Sequence, residues 1–171
     1  MSKNLVLTGM MGSGKSTIGR ELSKRLNLKF VDIDKLIEKR EKMPIRKIFS
    51  TKGEKYFRRL EQSTCLKILK KSNSVIALGG GSFINPTIRK AVLEKSVSFH
   101  LDISLNNLKK RKINFKKRPL IKDKENTLAL ETIYNSRKKV YNQATFSVNC
   151  NKLNKVKIVD QICELYEKSN S

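Results

Sequence analysis

Short apolar runs recur along the chain, each followed by a stretch in which apolar positions return at helical spacing. Leu5-Val6-Leu7-Thr8 closes on a glycine-rich turn, after which Ile18, Leu22, Arg25 and Leu26 recur three to four residues apart. That order predicts a strand, a loop and a helix. Phe30-Val31-Asp32-Ile33, Val75-Ile76-Ala77-Leu78, Val97-Ser98-Phe99-His100-Leu101 and Phe146-Ser147-Val148 are further β-rich runs. Helical patterning falls at about 35–41, 53–71, 86–94, 104–112, 125–141 and 154–168, with Pro86 well suited to a helix start. Five strands alternating with helices predict an α/β fold, a five-stranded parallel sheet with helices on both faces. A chain of 171 residues is long enough for one domain with a hydrophobic core, so residues 1–171 are read as a single unit.

Composition narrows the setting. No apolar run approaches the roughly 20 residues that a membrane helix needs. The run after Met1-Ser2-Lys3-Asn4 is too short for a signal-peptide core, so the expectation is a cytoplasmic protein. Cys65, Cys150 and Cys163 lie far apart and form no Cys-x-x-Cys pair, and His100 is the only histidine. These are read as structural or incidental side chains rather than a metal or redox centre. The formal charge of +23, from 38 basic and 15 acidic residues, would attract any polyanion. A nucleic-acid-binding protein is therefore a rival reading, although the lysines are spread along the chain and no aromatic residues interleave a basic patch for base stacking. The basic stretch from Lys109 to Pro119 is the one segment whose composition departs from a packed domain.

Gly9-Met10-Met11-Gly12-Ser13-Gly14-Lys15-Ser16 fits G-x-x-x-x-G-K-[ST] between a predicted strand and a predicted helix, the context that this pattern requires. Its glycines let successive backbone N–H groups face phosphate oxygens, and the positive end of the following helix adds to the attraction. Gly12, Ser13, Gly14, Lys15, Ser16 and Thr17 are thus candidates for holding ATP, with Lys15 reaching the β- and γ-phosphates and Ser16 placed for Mg²⁺. The loop leaves the phosphoryl acceptor open. Asp32 and Asp34 close the second strand, and strand alternation would set them on one side, toward the crevice at the strands' carboxyl ends. Asp32 suits Mg²⁺ and Asp34 an acceptor hydroxyl; an Asp-x-Asp here could equally cap the next helix. Arg58 follows on a helix, and Gly79-Gly80-Gly81 after the third strand admits a ligand close to the backbone.

With these motifs in order, the sequence resembles the shikimate kinase family over most of its length. The resemblance is carried by Gly9 to Thr17, Phe30-Val31-Asp32-Ile33-Asp34 with Ile37-Glu38, Gly53-Glu54 with Phe57-Arg58 and Glu61, and Gly79-Gly80-Gly81. It continues in Leu101-Asp102-Ile103-Ser104, Arg118-Pro119-Leu120, and Arg137 with Tyr141. Pro44 and Lys47 depart from it, standing where the family more often has Ser or Thr and Glu. The resemblance implies a P-loop kinase architecture with a mobile lid over about 109–124 and an acceptor-binding region over about 32–61. It implies that Asp34, Arg58, Gly79, Gly80, Gly81 and Arg137 hold shikimate, the two arginines gripping its carboxylate. It also implies that Arg118 closes over the phosphates beside Lys15 and that Arg111 packs on adenine. ATP as co-substrate, Mg²⁺, a monomer and no specific nucleic-acid partner complete the expectation. A gluconate or nucleoside monophosphate kinase of the same architecture is the nearest enzymatic alternative.

Overall fold

The computed structural model describes residues 3–111 and 126–170. Within them the chain runs β1 (Asn4–Thr8), α1 (Lys15–Arg25), β2 (Lys29–Asp32), α2 (Ile33–Glu41), α3 (Ile45–Leu69) and β3 (Ser74–Ala77). A 3₁₀ turn (Ser82–Ile84) follows, then α4 (Pro86–Lys95), β4 (Ser96–Asp102), α5 (Leu105–Lys110), α6 (Asn126–Tyr141), β5 (Phe146–Asn149) and α7 (Lys155–Asn170). The strands form one sheet in the order β2-β3-β1-β4-β5, and every pairing is parallel. The five predicted strands are all present. The basic stretch from residue 112, including Arg118 and most of the expected lid, lies outside the described residues.

Side-chain alternation sorts the strands between two cores. On one face Leu5 and Leu7 join Val75, Val97, Phe99 and Leu101 beneath Ile18 and Leu22 of α1 and Ile158 and Ile162 of α7. On the other, Val6 and Ile76 meet Ile33 and Ile37 of α2, Phe57 and Leu60 of α3, and Ile88 and Val92 of α4. Leu5, Val6 and Leu7 are each wholly buried, which stabilises the fold by about 1.5–3 kcal/mol per side chain. Helices therefore cover both faces, as expected. Among the described residues, no helix is long and apolar enough to cross a membrane.

The clearest difference from the predicted elements is in the segment after α2. Helical structure begins at Ile45, not near residue 53, after Pro44 with φ −67° and ψ 152°. Gly53, at φ 81° and ψ 163°, then breaks the helical path inside α3. Charged residues between Ile45, Ile48 and Phe49 mask a short apolar face that packs into the core, where Ile48 is wholly buried. Across the bend, the Glu41 carboxylate accepts from Lys52 Nζ at 2.6 Å and from the Tyr56 hydroxyl at 3.1 Å, tying α2 to both halves of α3.

His100 sits in β4, 4% exposed, stacked on Tyr141 with ring centroids 5.3 Å apart. Burial holds its imidazole below the ordinary value of 6.5, against the opposing pull of Asp102, and the Lys15 and Lys138 charges act in the same direction as burial. A depressed folded-state value means that the unfolded chain binds the proton more readily. The contribution is neutral above 6.5 and becomes destabilising as pH falls through that value. Thermal unfolding between pH 7.5 and 5.5 is therefore expected to show a steeper loss of Tm for the wild type than for His100→Gln.

Candidate active site

The phosphate half is built by the reversal from β1 into α1. Gly9, Gly12 and Gly14 hold φ values of 135°, 76° and 99°, a region that side chains with a Cβ rarely enter. At Gly9 a Cβ would also lie 3.0 Å from the Leu101 carbonyl oxygen. Ser13 is buried within the loop. Lys15 opens α1, and its ammonium donates to the carbonyls of Gly9 at 2.8 Å and Met10 at 2.9 Å, which holds it over the loop. The first turn of α1 carries no acidic residue, so the helix itself does not offset its positive end. Arg111 donates to the Gly12 carbonyl at 2.8 Å.

Ser16 and Asp32 meet across the cleft, the hydroxyl donating to Oδ2 at 2.6 Å. Asp32 Oδ1 accepts from the backbone N–H of Lys35 at 3.1 Å and so caps α2. Asp34 lies in the first turn of that helix. Strand alternation is therefore not what brings the two carboxylates together, because the chain has already turned helical at Ile33. Both nevertheless line one cleft of about 400 Å³ together with Gly12, Gly14, Lys15, Ser16, exposed Thr17, Leu78 and Gly80.

The glycine turn after β3 forms the other half. A Cβ at Gly79 would lie 2.5 Å from Asp34 Oδ1, 2.9 Å from Ser82 Oγ and 3.0 Å from Glu61 Oε1. At Gly81 it would meet the Arg58 guanidinium at 2.9 Å. Arg58 donates to Glu61 Oε2 at 2.8 Å and to Glu54 Oε1 at 3.3 Å. Burial acts to lower the Arg58 pKa, but the two carboxylates outweigh it and hold the guanidinium firmly charged. Arg137 reaches the same turn from α6, donating to the Gly80 carbonyl at 2.9 Å. The predicted residues Asp34, Arg58, Gly79, Gly80, Gly81 and Arg137 thus converge from four elements.

Sequence reasoning gave no individual role to Glu61, which organises this half. It is 2% exposed and accepts from both Arg58 and, at 2.7 Å, the buried Ser82 hydroxyl. The signal was its position three residues after Arg58, one turn along the same helix face. Arg118 lies outside the described residues.

The family model described as shikimate kinase matches residues 11–167. A shikimate kinase from a Sulfurihydrogenibium species is 41% identical over 160 residues, covering 94% of this chain and 95% of the relative. The solved shikimate kinase from Acinetobacter baumannii in complex with shikimate superposes with a TM-score of 0.93 at 26% identity, covering 99% and 95% of the two chains. A gluconokinase from Sinorhizobium meliloti covers 98% of this chain and 93% of its own, with a TM-score of 0.64 at 13% identity. At that distance it shares the fold alone.

Crowding at Gly79 yields a direct test of this geometry. Gly79→Ala is expected to destabilise the protein by about 1–3 kcal/mol, read by calorimetry as a fall in Tm of about 2–10 °C. Affinity for a fluorescent ADP analogue should change less than about twofold, because the added methyl lies outside the phosphate loop.

Proposed function

The chain belongs to the shikimate kinase family and is an ATP-dependent small-molecule kinase; from that premise we propose the site chemistry that follows. The γ-phosphoryl group of ATP passes to the 3-hydroxyl of shikimate, giving shikimate 3-phosphate and ADP. The observation that carries the acceptor assignment is the meeting of two guanidiniums, Arg58 and Arg137, at one glycine turn. That turn shares a cleft with Lys15, Ser16 and Asp34. Planar guanidinium forks suit a carboxylate, and a glycine turn lets the ligand approach the backbone.

Phosphoryl transfer asks a protein mainly for position and charge neutralisation. The acceptor oxygen attacks the γ-phosphorus, the bond from that phosphorus to the β–γ bridging oxygen breaks, and ADP leaves with the bond's electrons. Asp34 orients the attacking hydroxyl and accepts its proton. Lys15 neutralises charge on the transferring group. Ser16 and Asp32 offer hard oxygens 2.6 Å apart, a donor set that fits Mg²⁺. When bound there, Mg²⁺ supplies charge neutralisation to the phosphates. A cytoplasmic, monomeric enzyme is the accompanying reading.

Purified protein with MgATP and shikimate is expected to yield shikimate 3-phosphate by mass, with gluconate and nucleoside monophosphates inactive in the same panel. Turnover of one of those instead of shikimate would overturn the acceptor assignment. Arg58→Lys keeps a cation beside buried Glu61 but loses the fork. We expect its KM for shikimate to rise about 10- to 100-fold while the KM for ATP stays at the wild-type value. Steady-state kinetics in both substrates checks this.

A further inference from the structure

Three consecutive glycines give a turn with wide backbone freedom, so a site built on Gly79-Gly80-Gly81 needs ties from outside the turn. Arg137 supplies one at the Gly80 carbonyl. The second comes from Tyr141, one turn later on α6 and 1% exposed, whose hydroxyl donates to the same oxygen. The Arg137 guanidinium and the Tyr141 phenol, two side chains of α6 one turn apart, thus share one and the same carbonyl oxygen, that of Gly80, as their acceptor.

Burial raises the phenol's pKa against the opposing Arg137 charge, so Tyr141 keeps the proton that it donates. His100 stacks on the face of its ring, and His100 in turn lies 3.4 Å from the Cβ position of Gly9 in the phosphate loop. A trans peptide sets its C=O and N–H antiparallel. Tying the Gly80 carbonyl back to α6 thus turns the Gly81 N–H away from α6.

We propose that Tyr141 is a positioning residue for the acceptor site: its hydroxyl fixes the direction of the Gly80 carbonyl, the oxygen to which Arg137 also donates, so that the glycine turn and α6 grip the acceptor as one unit. The inference rests on shikimate being that acceptor. Without the hydroxyl, the Gly80 carbonyl retains Arg137 as a donor but loses the second tie that fixes its direction.

Tyr141→Phe removes one oxygen and keeps the buried ring. Its KM for shikimate is expected to rise about three- to tenfold, the worth of one hydrogen bond, with the KM for ATP at the wild-type value. In an Arg137→Ala background the same substitution should add less than about twofold, because the two residues act through one network. An unchanged shikimate KM would overturn the inference. So would a parallel rise in both KM values with a matching fall in Tm, which marks a structural role, or full additivity with Arg137→Ala. Absence of shikimate turnover by the wild type would overturn the acceptor reading and this inference with it, whereas normal wild-type turnover with an unaffected Tyr141→Phe overturns this inference alone.

Discussion

Parallel strands cannot be joined by a tight hairpin, so every strand hands the chain to a crossover and every strand's carboxyl end opens on the same edge of the sheet. The arrangement of the site follows from that constraint. With the order β2-β3-β1, the loop after β3 lies between those after β2 and β1. Asp34, following β2, therefore comes to 2.5 Å from the Cβ position of Gly79, and the Met11 amide, following β1, comes to 3.4 Å from that of Gly80. A phosphate loop, a carboxylate and a glycine turn distant in sequence become neighbours because the strands before them are hydrogen-bonded in that order.

Charge is deployed around the same edge. A chain of formal charge +23 repels itself and attracts anions. Its carboxylates have most effect where they orient cations. Burying Glu61 is costly unless it is paired and hydrogen-bonded; Arg58 and Ser82 meet that requirement. In doing so Glu61 fixes a guanidinium beside Gly81. Glu41 acts similarly away from the cleft, holding Lys52 and Tyr56 across the bend at Gly53. The glycine turn and the bend at Gly53 are thus shaped by a few carboxylates in a strongly basic chain.

The strands and the phosphate loop were legible in the sequence because both leave local marks. A strand buried on both faces reads as a continuous apolar run, as Leu5-Val6-Leu7 does, and a loop that needs positive φ demands glycine. The start of α3 was not legible, since Ile45, Ile48 and Phe49 are too few among charged neighbours to declare a helix. The residues that gather at the glycine turn were named through resemblance, but the wiring between them was not legible. Glu61 to Ser82 spans 21 residues and Tyr141 to Gly80 spans 61. Contacts at such separations leave no periodicity, because they are created by the sheet order.

Asp32 shows why two readings of one motif need not compete. As a helix cap it should accept a backbone N–H of α2, and as part of a phosphate site it should face the Ser16 hydroxyl. It does both, one oxygen to each partner. The cap is worth about 0.5–2 kcal/mol to the helix, and it also removes the carboxylate's freedom to rotate. The oxygen turned to Ser16 is consequently held in place by the folding of α2. Asp34, two residues on, is placed by the same helical turn. A capping preference of the backbone thus sets the direction of one carboxylate and the location of the other, and the precision of the candidate site derives from local helix stability.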